Sequence, residues 1–213
     1  MLYYLGNGEK GRMDIHKALD QISEIHGHLV KTDVYRGYRA VPVALSGVLA
    51  LAAAAVQTRI IGNGAPRSFV LYWAVVALLG CATAAGGIIY SYVHQESQLA
   101  RRRTRITVGQ LIPCVVAGIG LTAMVTRSGS KSITLLPGLW TVLFSLGVFA
   151  SRPYLPRIIG WVALYYLVAG TILLAMAEDG TSLSPWGIGL TFGFGQIMAG
   201  IVLYWNLERK GVR

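Results

Sequence analysis

Six apolar runs, none of which contains Asp, Glu, Lys or Arg, dominate the sequence between residues 41 and 206. They cover approximately 41–57, 69–93, 107–126, 134–150, 158–177 and 185–206. A helix that crosses a bilayer needs about 20 mainly apolar residues, with a range of roughly 17–25. Each run is long enough, so the pattern predicts an all-α integral membrane protein built as a bundle of six transmembrane helices.

The composition agrees with a membrane protein and excludes several other classes. Charged residues form 13% of the chain, whereas soluble proteins have about 25%. That share excludes a soluble enzyme and a disordered tail. The two cysteines, Cys81 and Cys114, lie inside apolar runs, which is not the arrangement of a secreted disulfide scaffold or a metal site. We predict no cofactor.

The positively charged residues lie beside the ends of the apolar runs. The net charge is +10, but the basic residues flank the runs, so the predicted partner is the lipid bilayer and not nucleic acid. Loops on one side of a six-helix arrangement carry 12 Lys and Arg residues, against 4 on the other side. By the positive-inside rule both termini are expected in the cytoplasm. Small size and the absence of a visible targeting signal predict the bacterial inner membrane.

The chain divides into four predicted regions. Residues 1–12 form a flexible N-terminal extension, and Met13 is an alternative start. Residues 13–38 form a cytoplasmic amphipathic helix and a linker. Residues 39–207 hold the six-helix domain, and 208–213 form a cytoplasmic tail.

The N-terminal helix has the spacing of an amphipathic surface. Its apolar residues recur at intervals of three and four, which places them on one face. Three roles are open for residues 13–31: binding a protein partner, lying on the membrane surface, or packing against the cytoplasmic loops. The polar face of this helix carries His16, Asp20, Glu24 and His28 at four-residue spacing. That pattern suits a metal site or pH sensor, although a solvated face with ordinary ion pairs has the same pattern.

Uncharged polar side chains inside the runs are the other candidates for function. We expect Gln110, Tyr165, Tyr166 and Gln196, together with Thr141, Ser145, Thr171 and Thr191, to face the bundle interior and form hydrogen bonds between helices. The alternative is a polar cavity for a neutral or amphipathic ligand, lined by Gln110, Tyr165, Tyr166 and Gln196. No carboxylate lies within a run, which disfavours proton-coupled transport.

Small residues one turn apart predict close helix packing in the last run. These are Gly189 with Gly193, and Gly195 with Ala199. Such pairs let two helix backbones approach closely in lipid. In the third run, Pro113 removes a backbone hydrogen bond and predicts a kink.

A weak internal repeat is visible. Three predicted hairpins begin with Arg39, Arg105 and Arg157 and return with Trp73, Trp140 and Trp186, at separations of 34, 35 and 29 residues. These features predict three hairpin repeats, but basic residues and interfacial tryptophans are common in any membrane hairpin. We expect the tryptophans to lie in an aromatic belt at the membrane surface.

Three functions remain open. The first is a non-catalytic subunit, anchor or sensor in a membrane complex, with an undefined oligomeric state. The second is a transporter or channel for a small neutral or amphipathic solute. The third is an enzyme that acts on lipid, for which His94, Glu96 and Arg101 to Arg103 are the candidate residues.

Overall fold

The computed structural model describes residues 40–62, 65–94, 98–177 and 183–208. This part of the chain is 91% helical and contains no β-strand. The predicted N-terminal extension, the amphipathic segment 13–31 and residues 209–213 lie outside the described residues.

The described helices follow one another with short connections. They are α1 (Ala40–Ile61), α2 (Pro66–His94), α3 (Gln98–Arg127), α4 (Ser130–Ile133), α5 (Leu136–Ser151), α6 (Ile159–Ala175) and α7 (Pro185–Leu203). A 3-10 turn, Arg152–Tyr154, follows α5, and a π-helical turn, Tyr204–Glu208, follows α7.

Four segments are long and apolar enough to cross a membrane. They are Ala40–Ile61, Pro66–Tyr90, Arg105–Arg127 and Pro185–Asn206. Helices α5 and α6 are also apolar but shorter, with 16 and 17 residues. The all-helical class is therefore confirmed for the described residues, and four helices of spanning length fit an integral membrane protein.

The connections show why the helices begin and end where they do. Gly62 ends α1 with a φ of 56°, a left-handed conformation that glycine adopts without steric cost. Proline lies in the first turn of α5 and of α7, where its missing N–H removes no helical hydrogen bond. Helix α3 continues through Pro113 without a break.

Two predicted boundaries differ from the structure. Residues 98–106, predicted as part of a loop, form the beginning of α3. The basic side chains there have long, unbranched stems that favour helix, and no glycine or proline interrupts them. The predicted helix 134–150 begins later, at Leu136, because the short helix α4 and two turn residues precede Pro137.

Neighbouring helices pack in sequence order, and the first helix closes against the last. The close pairs are α1 with α2, α3 with α5, α5 with α6, α6 with α7, and α1 with α7. Helices α2 and α3 contact each other only lightly. Each of the four helices of spanning length has one most apolar stretch of 18 residues. Within that stretch, 39% of the residues are buried in α1, 44% in α7, 17% in α2 and none in α3. Most buried core residues come from α1, α5, α6 and α7, and α2 adds Phe69, Val70 and Trp73.

Glycines allow the closest approaches. A Cβ on Gly193 of α7 would lie 2.5 Å from Cγ of Leu51 in α1. Between α5 and α6, a Cβ on Gly138 would lie 2.9 Å from the carbonyl oxygen of Gly170. Since no side chain larger than hydrogen fits at these distances, the sequence sets the spacing of both helix pairs.

Candidate functional site

A buried tyrosine near the middle of α6 is the most unusual polar group in the bundle. Tyr166 is 0% exposed. Its hydroxyl finds no hydrogen-bond partner among the described residues. A buried donor without a partner costs about 1–3 kcal/mol, and such groups in native proteins need an explanation. This hydroxyl is therefore the strongest candidate for a functional group.

Aromatic rings from three helices surround Tyr166. Phe144 of α5 packs edge-on against it, with ring centroids 4.9 Å apart. Phe192 of α7 lies 5.5 Å from the ring of Tyr166 and 5.6 Å from that of Phe144. Tyr165 lies 5.5 Å from the ring of Tyr166. We call these four residues the aromatic cluster. Its edge-to-face contacts stabilise the meeting of α5, α6 and α7.

Glycine makes room for the Tyr166 phenol on the opposing helix. A Cβ on Gly195 would overlap the hydroxyl and the ring of Tyr166. Any larger residue at Gly195 would displace the phenol. The neighbouring Tyr165 hydroxyl instead contacts backbone carbonyl oxygens of α7, at 3.4 Å from Leu190 and 3.3 Å from Thr191.

The structure brings three of the four predicted cavity residues to one region of α6 and α7. Gln196 directly follows Gly195 and is half-buried. Its Cβ faces α1, where it would lie 3.0 Å from a Cβ on Gly47. The Gln196 amide forms no hydrogen bond within the described part of the chain. Tyr165, Tyr166 and Gln196 thus share a level of the bundle.

Gln110 lies apart from that group. Helices α3 and α5 run antiparallel, since Cys114 contacts Gly147 and the indole of Trp140 reaches Thr122. One turn before Cys114, Gln110 therefore lies beside the end of α5, about 10 Å along the helix axis from the level of the aromatic cluster. The helices that carry Gln110 and Gln196, α3 and α7, are not among the closely packed pairs of the described residues.

The other polar side chains of the runs use two kinds of acceptor. Ser145 of α5 donates across the interface to the carbonyl oxygen of Ala163 in α6, at 2.7 Å. Thr141, Thr171 and Thr191 instead donate to carbonyl oxygens of their own helices. Thr171 is also exposed. The expectation of hydrogen bonds between helices is therefore wrong for these three threonines, whose short side chains reach their own backbone first.

Two tryptophans form polar contacts that the sequence reasoning missed. The indole of Trp73 in α2 donates a 2.7 Å hydrogen bond to Oε1 of Gln57 in α1, and both side chains are 4% exposed. The indole of Trp140 in α5 donates at 2.8 Å to Oγ1 of Thr122 in α3. Trp73 therefore belongs to the core and not to a lipid-facing belt. The feature of the sequence that could have indicated this contact is Gln57, a polar residue near the end of an otherwise apolar helix.

The small residues of α7 contact two different helices. Gly189 faces Ala54 and Gly193 faces Leu51, both in α1. Gly195 faces Tyr166 of α6, and Ala199 is buried in the same core. The small residues of α7 therefore allow close contact with α1 and with α6.

Several predicted site residues lie outside the described part of the chain. The possible metal or pH-sensing set His16, Asp20, Glu24 and His28 is among them, as is Glu96. The side chain of His94 is also outside it. No group of three or more His, Cys, Asp or Glu residues that could hold a metal occurs among the residues that are described.

Comparison with known proteins adds no assignment. No protein family, curated protein or solved structure matches this chain.

Proposed function

We propose that this chain is a non-catalytic integral membrane protein that acts as a subunit, anchor or sensor in a membrane complex. We further propose that α2 and α3 are the helices that meet its partner. The proposal rests on the uneven use of glycine in the bundle.

Three glycines of α2 and α3 contrast with those of α7, whereas Gly87 of α2 packs closely against Pro42 of α1. A Cβ added at Gly86, Gly109 or Gly120 would meet nothing within 4 Å. In α7, a Cβ at Gly193 or Gly200 would lie 2.5 Å and 2.9 Å from α1 side chains. Glycine costs stability in a helix unless a close approach uses it, and small residues mark helix contacts in membranes. A helix of a partner at α2 and α3 would use these glycines.

The finer topology is part of this proposal. If α5 and α6 also cross the membrane, six spans place both termini on one side, which the basic residues identify as the cytoplasm. Two observations support six spans: α5 and α6 lack charged residues, and each packs against a helix of spanning length. The bacterial inner membrane fits such a chain.

The three-hairpin repeat has partial support. Trp73 and Trp140 each donate to a polar side chain on the preceding helix of their own hairpin, 16 and 18 residues earlier. Trp186, in the third hairpin, is 49% exposed. The first two hairpins share this contact, which supports the proposed repeat for those two.

Leucine at an open glycine tests the contact between α2, α3 and a partner. We expect Gly86→Leu and Gly109→Leu to reduce the mass of the assembly extracted in mild detergent while the monomer stays folded. The matched control is Ala52→Leu, at an exposed position of α1. An assembly of unchanged native mass in both glycine variants, or an equal loss in the control, would refute this face as the interface.

Oxidative cross-linking through Cys81 tests which kind of partner contacts α2. It is exposed on α2, whereas Cys114 packs against Gly147. Mild oxidation of native membranes that contain the Cys114→Ser variant would join Cys81 to a nearby thiol. A cross-linked product of twice 23.0 kDa indicates a second copy. A cross-linked product of any other mass indicates a different polypeptide. Deletion of residues 13–31 tests separately whether the N-terminal segment also holds the partner.

The aromatic cluster favours a second function, passage or binding of a small neutral or amphipathic solute. The Tyr166 hydroxyl and the Gln196 amide lack partners in the described part of the chain, and a solute could supply them. Glycerol and urea uptake by proteoliposomes is the test. If this function is correct, Tyr166→Phe and Gln196→Leu lower the uptake and Ser145→Ala does not. Unchanged uptake in both variants removes these residues from a pathway.

A further inference from the structure

The turn between α5 and α6 is short and well ordered by backbone hydrogen bonds. The N–H of Leu155 donates to the carbonyl oxygen of Arg152 at 3.2 Å, and the N–H of Ile159 donates to Pro156 at 2.8 Å. Pro156 is buried. These contacts fix the backbone of the turn next to the first residues of α6.

Arg152 folds back across this turn onto α6. Its Nε lies 3.2 Å, and its Cζ 3.5 Å, from the place that a Cβ on Gly160 would occupy. Glycine thus leaves a flat surface on which the guanidinium rests. Arg157 belongs to the same turn, since its carbonyl oxygen accepts a hydrogen bond from the N–H of Gly160 at 3.2 Å. Two arginines therefore lie on one short turn, which we call the arginine turn.

The arginine turn carries two positive charges at the surface. Arg152 and Arg157 are exposed, and neither side chain forms a hydrogen bond with another described residue. Two guanidinium groups on one short turn attract an anion, and arginine suits the geometry of phosphate.

Apolar side chains beside the arginines indicate which anion. Ile158 is 49% exposed and Trp161 is 70% exposed. A free phosphate ion would gain nothing from them, whereas a phospholipid can place its phosphate on the arginines and its acyl chain along these side chains. Tryptophan also favours the headgroup level of a membrane.

We propose that the arginine turn binds the headgroup of an anionic phospholipid, with Arg152 and Arg157 on the phosphate and Gly160 as the surface that positions Arg152. This site lies on helices other than α2 and α3, so it can exist whether or not those helices meet a partner.

Lipid titration of the full-length protein in detergent tests the site. Native mass spectrometry would measure the binding of phosphatidylglycerol and of phosphatidylcholine, which has no net charge. The double variant Arg152→Gln with Arg157→Gln is expected to bind phosphatidylglycerol about ten- to thirtyfold more weakly. Gly160→Leu keeps both charges but displaces Arg152, so we expect it to weaken the same binding, with phosphatidylcholine binding unchanged.

The matched control removes two charges at the other end of the bundle. Arg59 and Arg67 are exposed in the last turn of α1 and the first turn of α2. Changing both to Gln should leave phosphatidylglycerol binding intact. An equal loss in this control would show a general charge effect and overturn the proposal. So would wild-type affinity in the Arg152 and Arg157 variant, or displacement of phosphatidylglycerol by inorganic phosphate.

Discussion

The phenol of Tyr166 lies directly against Gly195, so that a single added carbon on α7 would overlap its hydroxyl. This contact lies near the middle of α6, within the aromatic cluster, and the hydroxyl has no hydrogen-bond partner among the described residues. A phenylalanine would fill the same space without burying a polar atom. The buried hydroxyl is unfavourable for folding alone, and the proposed binding of a solute would give it a partner.

Replacement of Tyr166 by Phe separates folding from function. The variant removes a buried polar atom and leaves the aromatic contacts in place. We expect the free energy of unfolding in detergent to stay the same or to rise by about 1–2 kcal/mol. Denaturation by sodium dodecyl sulfate, followed by circular dichroism, measures it. A loss of stability would mean that the hydroxyl has a structural partner and would remove the argument for a solute.

Gly195→Ala is expected to destabilise the bundle. The added methyl group overlaps Tyr166, and overpacking of this kind typically costs about 1–3 kcal/mol. Gly86→Ala is the matched control, because an added Cβ there meets nothing within 4 Å. In the isolated chain, that control should be neutral or stabilising by about 0.5–1 kcal/mol, since alanine favours helix over glycine. Equal effects in thermal unfolding of the two variants would contradict the assigned packing.

The hydrogen bond between α5 and α6 should make a small but measurable contribution to the free energy of unfolding. Ser145→Ala removes the 2.7 Å bond to the carbonyl oxygen of Ala163. Hydrogen bonds between membrane helices average about 0.6 kcal/mol, and we expect a loss of that size. Thr171→Ala is the control, since Thr171 is exposed and bonds within its own helix. A comparable loss in both variants would show that the contact between α5 and α6 contributes nothing specific.

The positions of the helices could be predicted from the sequence because charge is excluded from lipid. Each apolar run overlaps a described helix, and the proline-led beginning of α7 at Pro185 agrees with the prediction. The start of α3 at Gln98 could not be predicted in the same way. A helix can continue beyond the apolar run into a basic segment, and hydropathy detects only the apolar part.

The contacts within the candidate site could not be predicted from the sequence, because they depend on how the helices face each other. The sequence identified Tyr166 as polar and central, but not that its hydroxyl would face Gly195. It also assigned Trp73 to the membrane surface, since tryptophan is common there. The pairing of Trp73 with Gln57 depends on how α1 and α2 face each other, and the hydrophobic pattern of two uniformly apolar helices does not fix that rotation.

The pair formed by Trp73 and Gln57 provides a further test of the fold. Trp73→Phe leaves a buried Oε1 without a donor, and Gln57→Leu leaves a buried indole N–H without an acceptor. Each single change is expected to lower the free energy of unfolding by about 1–3 kcal/mol. The double variant removes both polar groups, so its loss should be smaller than the sum by about 0.5–3 kcal/mol. A double-mutant cycle in detergent measures this coupling, and strict additivity would show that the two side chains do not interact.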